Sequence, residues 1–164
     1  MSVNKARPHV LILPEDDANR QIANGFHLQI EWKRQRQMQV LPVAGGWVEV
    51  LELFRSVHVR GMETWPNRFM VLLIDFDGNV DTRLSRAKTG IPVHLLRRVF
   101  VLGALTEPEN LKSEMGPYET IGRALAQDCG DRTTATWRHR LLLHNEAELA
   151  RLQESVQPIL FGAT

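Results

Sequence analysis

The stretch RFMVLLIDFDGN, Arg68–Asn79, decides how the rest of the chain is read. Phe69 to Ile74 are apolar without a break, as in a strand buried on both faces in the middle of a parallel sheet. Val71 and Ile74 are β-branched, and the run is short for a buried helix. Asp75, Phe76, Asp77 and Gly78 follow at once. If the strand's two-residue alternation continues, Asp75 and Asp77 share one face at its carboxyl end. Two carboxylates so placed repel each other unless a proton or cation lies between them, and hard divalent ions favour such oxygen donors. A plain Asp/Gly turn after a strand is the competing interpretation.

Working backwards, His9–Leu13 (HVLIL) reads as a first strand, closed by Pro14 and followed by Glu15-Asp16-Asp17. A helix is expected from Ala18 to about Leu28, with Asp16 or Asp17 as its N-cap. That leaves Glu15 at a strand end, in a topological position like that of Asp75. Glu31–Arg36 reads as an exposed helix end or loop, and Met38–Leu41 as a second strand. The Gly45-Gly46 pair then precedes a helix over Trp47–Val57. With neither a Walker lysine nor GxGxxG spacing, a tight turn accounts for these glycines better than a phosphate cradle.

Working forwards, a short helix is expected over Asp81–Lys88 and another from Ile91 to Leu96. This region carries Arg83, Arg86, Lys88, His94, Arg97 and Arg98, a basic flank beside the acidic pair, although such runs are commonly solvated faces. Val99–Leu102 is a fourth strand ending at Gly103. Thr106 is expected to cap a helix starting at Glu107-Pro108, with Glu109 at its third position. Tyr118–Cys129 reads as a helix, and Trp137–Ile159 as a long helix or helix pair. His139 and His144 lack the spacing of a helical metal pair. The alternation predicts an α/β fold: a Rossmann-like parallel sheet of about four strands flanked by helices, with a helical C-terminal segment.

The chain of 164 residues is read as a single domain, with 43% hydrophobic and 24% charged residues. A net charge of +1 excludes a global polyanion-binding surface, so any nucleic-acid contact must be local. The single cysteine, Cys129, permits no intrachain disulfide and reads as an inert helix residue. No signal-peptide core or membrane-length apolar run is present, so a cytoplasmic protein without a membrane partner is expected.

Glu15 in LILPED, Gly45-Gly46 in LPVAGG and Asp75/Asp77 in LLIDFDGN occur in the order of a Toprim domain, and over about residues 8–125 the chain resembles that family. VFVLGALTEPENL, with Glu109-Asn110, resembles the acidic segment of its nuclease-type members, those of the overcoming-lysogenization-defect type. Asp16 stands where the family often has glycine after its glutamate. The resemblance implies metal-dependent hydrolysis of nucleic-acid phosphodiesters. Asp75 and Asp77, together with Glu109, would hold Mg²⁺ or Mn²⁺, and Glu15 would act as general acid/base or second metal ligand. Arg83, Arg86 and Lys88 are the candidate contacts to the phosphate backbone. The alternative is a non-catalytic binding or regulatory subunit working with an ATPase partner, as nucleases of this type pair their Toprim domain with an ATPase. A phosphotransfer receiver is disfavoured, because no fifth strand ending in lysine is visible.

Overall fold

The computed structural model describes residues 2–162. Four parallel strands form one sheet in the order β2-β1-β3-β4: β1 is His9–Pro14, β2 Met38–Val40, β3 Arg68–Leu73 and β4 Val99–Leu102. The β1–β3 register pairs His9 with Arg68 and runs to Pro14 opposite Leu73. Every residue of β1 and β4 is buried, as expected of a sheet covered on both faces. The fold is therefore the α/β, Rossmann-like sheet that the alternation predicts.

The two helical layers follow from strand parity. Val10, Ile12 and Val71 face one layer, made with Ile22 of α1 (Asp17–Leu28) and partners further along the chain. Leu11, Met70 and Leu72 face the other layer, with Val50 of α2 (Trp47–Leu53), Met62 of α3 (Val59–Thr64) and Ala87 of α4 (Val80–Thr89). One π-helical turn, Phe54–His58, joins α2 to α3, so the helix after Gly46 extends beyond the expected Val57. The first layer is completed by α5 (Pro108–Met115), α6 (Tyr118–Asp131), α7 (Glu146–Ser155) and α8 (Gln157–Phe161). No described helix is long and apolar enough to cross a membrane.

Two expectations about the C-terminal half are corrected. Trp137–Leu142 is not the start of a long helix; it winds through turns, and Leu141 gives its carbonyl to the Leu105 N–H. Trp137 is buried, with its indole N–H on the Leu125 carbonyl, so its apolar bulk fills the core rather than a helix face. Nor does Thr106 cap α5. Its hydroxyl accepts from Asn110 Nδ2 at 3.0 Å, while Glu107 occupies the N-cap without a side-chain bond. Pro108 at the first helical position needs no N–H partner, which lowers the demand for a cap.

The basic run after β3 is only partly a solvated face. Arg98 donates to the carbonyls of Met62, Trp65 and Arg68, closing the amino edge of the sheet. Lys88 and Arg151 both reach Glu148, a buried carboxylate that also accepts the Val101 N–H at 3.0 Å. Those charged hydrogen bonds hold Glu148 below the usual carboxylate range against the opposing effect of its burial. Cys129 is fully buried, and burial pushes its thiol up to about 12, so it is inert as expected.

Backbone packs directly on backbone where α1 meets α6. A Cβ on Gly25 would fall 2.1 Å from the Glu119 carbonyl oxygen, and one on Gly122 2.0 Å from that of Ile22. Glycine is required at both positions because backbone meets backbone there. Gly122→Ala gains about 1 kcal/mol of helix propensity but must push the helices apart, so a net loss of about 1–3 kcal/mol is expected. Urea unfolding of the variant against wild type measures it, and an unchanged midpoint would contradict this packing.

Candidate active site at the switch point

Strand order 2-1-3-4 places the topological switch between β1 and β3. From there the chain leaves β1 towards β2 and leaves β3 towards β4, opening a crevice at the carboxyl edge. In a parallel ladder, alternate N–H groups point to opposite neighbours. Beyond β3, the N–H groups of Ile74, Phe76 and Gly78 continue towards the β4 side, onto the carbonyls of Leu102, Ala104 and Leu105. The Asp75 N–H points the other way, towards β1, whose backbone has already turned off. Glu15 fills the gap: its Oε2 accepts the Asp75 N–H at 2.7 Å. Two acids 60 residues apart in sequence thus meet at the rim.

The Glu15 backbone is fixed from both sides. Its N–H donates to Leu73 and its carbonyl accepts from the Gly45 N–H, each at 2.9 Å. Gly45 has φ +102, a conformation that favours glycine, and its engaged N–H supports the tight-turn interpretation of Gly45-Gly46 over a phosphate cradle.

Asp16 is the N-cap of α1, accepting the Asn19 N–H at 2.9 Å, as one of the two expected alternatives. Asn19 is buried, and its side-chain amide bridges two carboxylates, donating to Asp16 Oδ1 at 3.0 Å and Asp75 Oδ1 at 3.1 Å. Nothing in the composition singles out Asn19; a polar residue on the apolar face of α1 is the one signal in the sequence that points to it. Asp75 itself is 9% exposed. Burial first, and then the charges of Glu15 and Asp16, push its carboxyl up to about 7, against the Asn19 hydrogen bond. Burial also raises Glu15, assisted by Asp16 and opposed by the Asp75 N–H and by Arg83.

The alternation that would set Asp77 beside Asp75 does not reach it. β3 ends at Leu73, and Asp77 takes φ +48 in the turn with Gly78 at φ +73. The Asp77 carboxylate is largely exposed and lies 3.5 Å from Arg83 of α4. Arg83 ties the loop together, donating to the Asp75 carbonyl and lying over the Trp47 ring at 4.7 Å. Arg86 lies over the same ring at 5.2 Å. Glu109 is an exposed residue of the first turn of α5. The phenol of the largely buried Tyr118 is raised by burial first and then by the charges of Glu109, Asp16 and Asp75, so all three acids act on it through space. Lys88 does not join this group: it lies near the other end of α4, with its Nζ 2.6 Å from Glu148.

His144, which lacks the spacing of a helical metal pair with His139, steadies the loop instead. Its ring meets Phe76 edge-on at 5.2 Å and its Nε2 contacts the Gly103 carbonyl at 2.7 Å. Asn145 grips the same glycine by its N–H and its carbonyl. A Cβ on Gly103 would overlap the Ile74 carbonyl at 1.5 Å, so the loops after β3 and β4 touch backbone to backbone. Phe76 is thereby immobilised between the two aspartates.

The donor set suits a hard divalent cation. It consists of carboxylate oxygens, and one oxygen each of Glu15 and Asp75 is committed to the hydrogen bonds above. Among the described residues, no group of three or more His, Cys, Asp or Glu side chains is already gathered as a ligand cage. Burial first, and then the neighbouring acids, make ionised Asp75 and Glu15 costly here, and a cation would lower that cost. No family model matches the chain, and no curated protein or solved structure matches it either.

The raised Asp75 carboxyl has a consequence for stability. Its folded-state value lies above its unfolded one, so the folded state binds the extra proton. Stability therefore falls as pH rises from the ordinary aspartate range to about 7 and stays lowered above it. Asp75→Asn keeps the Asn19 partner without the charge. In EDTA at about pH 8 it should melt higher than wild type, by about 2–4 °C for each kcal/mol relieved, with the gap closing near pH 4. Thermal melts across pH measure this, and a variant that melts lower than wild type at pH 8 would refute the cost of holding a charged carboxylate in this buried, acid-flanked position.

Proposed function

We propose that the chain is a metal-dependent nuclease or nuclease subunit of the Toprim type, hydrolysing nucleic-acid phosphodiester bonds. The observation that carries this reading is the meeting of Glu15 and Asp75 across the switch-point crevice, 2.7 Å from carboxylate to N–H. Two partly buried carboxylates, neither in an ion pair among the described residues although Arg83 stands by on the Asp75 carbonyl, are an expensive arrangement in a purely structural loop.

Asp75 and Asp77, with Glu109 at the rim, would hold Mg²⁺ or Mn²⁺. When bound, the cation would polarise the phosphoryl oxygens and acidify a water. The chain's own residues supply the rest. Glu15, raised by burial, would accept the proton that the attacking water loses as the new phosphorus–oxygen bond forms and the old one breaks, and solvent water would protonate the departing oxygen. Asn19 holds the Asp75 carboxylate beside Asp16 and fixes its orientation at the rim. Arg83, anchored on the Asp75 carbonyl and on Trp47, presents guanidinium charge beside the acids for the phosphate backbone.

With Mg²⁺ or Mn²⁺, wild-type protein should nick supercoiled plasmid or cut single-stranded RNA. Glu15→Gln and Asp75→Asn should each lose about 10²–10⁴ of that rate. EDTA should abolish it, and full activity in either variant would remove the mechanism.

A second reading is a non-catalytic subunit completed by an ATPase partner. It is favoured by the lack of a ready ligand cage among the described residues and by Glu15's service as a stand-in for the missing strand carbonyl. Mn²⁺ titration separates the two. A nuclease should show a metal-dependent rise in melting temperature that Asp77→Asn weakens, together with cutting; the binding subunit should cut nothing under any of these conditions.

A further inference from the structure

Down the outer face of the molecule from Trp47 runs a cleft of about 410 Å³ lined by Val48, Leu51, Arg55, Arg86, Thr89 and Gly90, leading away from the acidic rim towards the far end of α4. It runs between α2, with the π-helical turn that follows it, and the carboxyl-terminal half of α4. Arg55 and Arg86 are both exposed, and neither has a carboxylate partner among the described residues. In a chain with nearly equal numbers of acids and bases, two unpaired guanidinia on one cleft are a local excess of positive charge. The cleft is also continuous with the site. Arg86 shares the Trp47 ring with Arg83, and Arg83 holds the Asp75 carbonyl. By contrast, the cavity of about 70 Å³ within the opposite layer is lined by apolar side chains alone and offers nothing to orient a ligand.

We infer that this cleft is a backbone-binding track for single-stranded nucleic acid, with Arg55 and Arg86 gripping successive phosphates on the approach to the acidic rim. It deepens the nuclease reading and rests on it for the direction of the strand, but binding in the cleft does not require cleavage. Three features set the ligand class. From Arg83, at the acids, to Thr89, at the far end of the cleft, α4 advances six residues, about 9 Å, so the surface extends beyond one phosphate group and leads from the acids along the cleft. Guanidinia on an aromatic ring offer flat, charged surfaces for phosphates and for unstacked bases. The hydrogen-bonding side chains of the lining are two arginines and one threonine, a set that serves phosphates whatever the bases, so a grip independent of sequence is expected.

The test is binding of a fluorescent single-stranded oligonucleotide to the full chain carrying Asp75→Asn, in EDTA and across a range of salt, so that cutting plays no part. Adding Arg55→Gln or Arg86→Gln should each lower the slope of log affinity against log salt by about 0.7, and the pair by about 1.4, alike for unrelated sequences. Both residues are exposed, so melting temperatures should hold and report that the variants fold. An unchanged slope in the double variant overturns the track, as does tighter binding of duplex than of single strand. If the slopes fall as expected while the wild-type chain cuts nothing with any metal, the track stands and the nuclease reading fails.

Discussion

The site depends on one hydrogen bond that the topology makes necessary. At the switch point β1 and β3 part company, and the Asp75 N–H is left facing a neighbour that has turned away. A buried N–H without a partner costs about 1–3 kcal/mol, so some acceptor had to be supplied. The Glu15 carboxylate supplies it, and in doing so brings a second acid to the rim beside Asp75 and Asp16. The same contact that completes the sheet therefore concentrates negative charge where an α/β fold leaves its crevice.

That concentration is maintained from behind. Asn19, sunk in the first helical layer, holds Asp16 and Asp75 through one amide. Asn145 and His144, from the turn before α7, clamp Gly103 and pack against Phe76. Arg83 and Trp47 brace the loop from the opposite layer. Four separate parts of the chain hold the Asp75–Gly78 turn, yet none neutralises the Asp75 carboxyl, which burial leaves near 7. The loop is rigid and electrostatically unsatisfied at once, a combination suited to taking up a cation or a proton without rearrangement.

The close approaches elsewhere serve the same geometry. Gly25 and Gly122 let α6 lie against α1, which seats Tyr118 beside the acids and Asn19 behind them. Gly103 lets the β4 loop touch the β3 loop. The buried Glu148, with Lys88 and Arg151, ties α4 and α7 to β4 away from the rim, which is why Lys88 is spent on the scaffold rather than on the crevice.

Much was decided by the sequence alone. The unbroken apolar runs of β1, β3 and β4, punctuated by acids or glycine, specify buried parallel strands because only strands covered on both faces dispense with alternation. They also place Glu15 and Asp75 at one edge. Only the tertiary structure decided which acids are held and how. The turn at Asp77 breaks the period that would have paired it with Asp75, and Asn19 and Asn145 acquire their roles from partners remote in the chain. Periodicity reports which face a residue occupies relative to its own element. It carries no information about what the neighbouring element brings to meet it, and a carboxylate's chemistry is set by that neighbour.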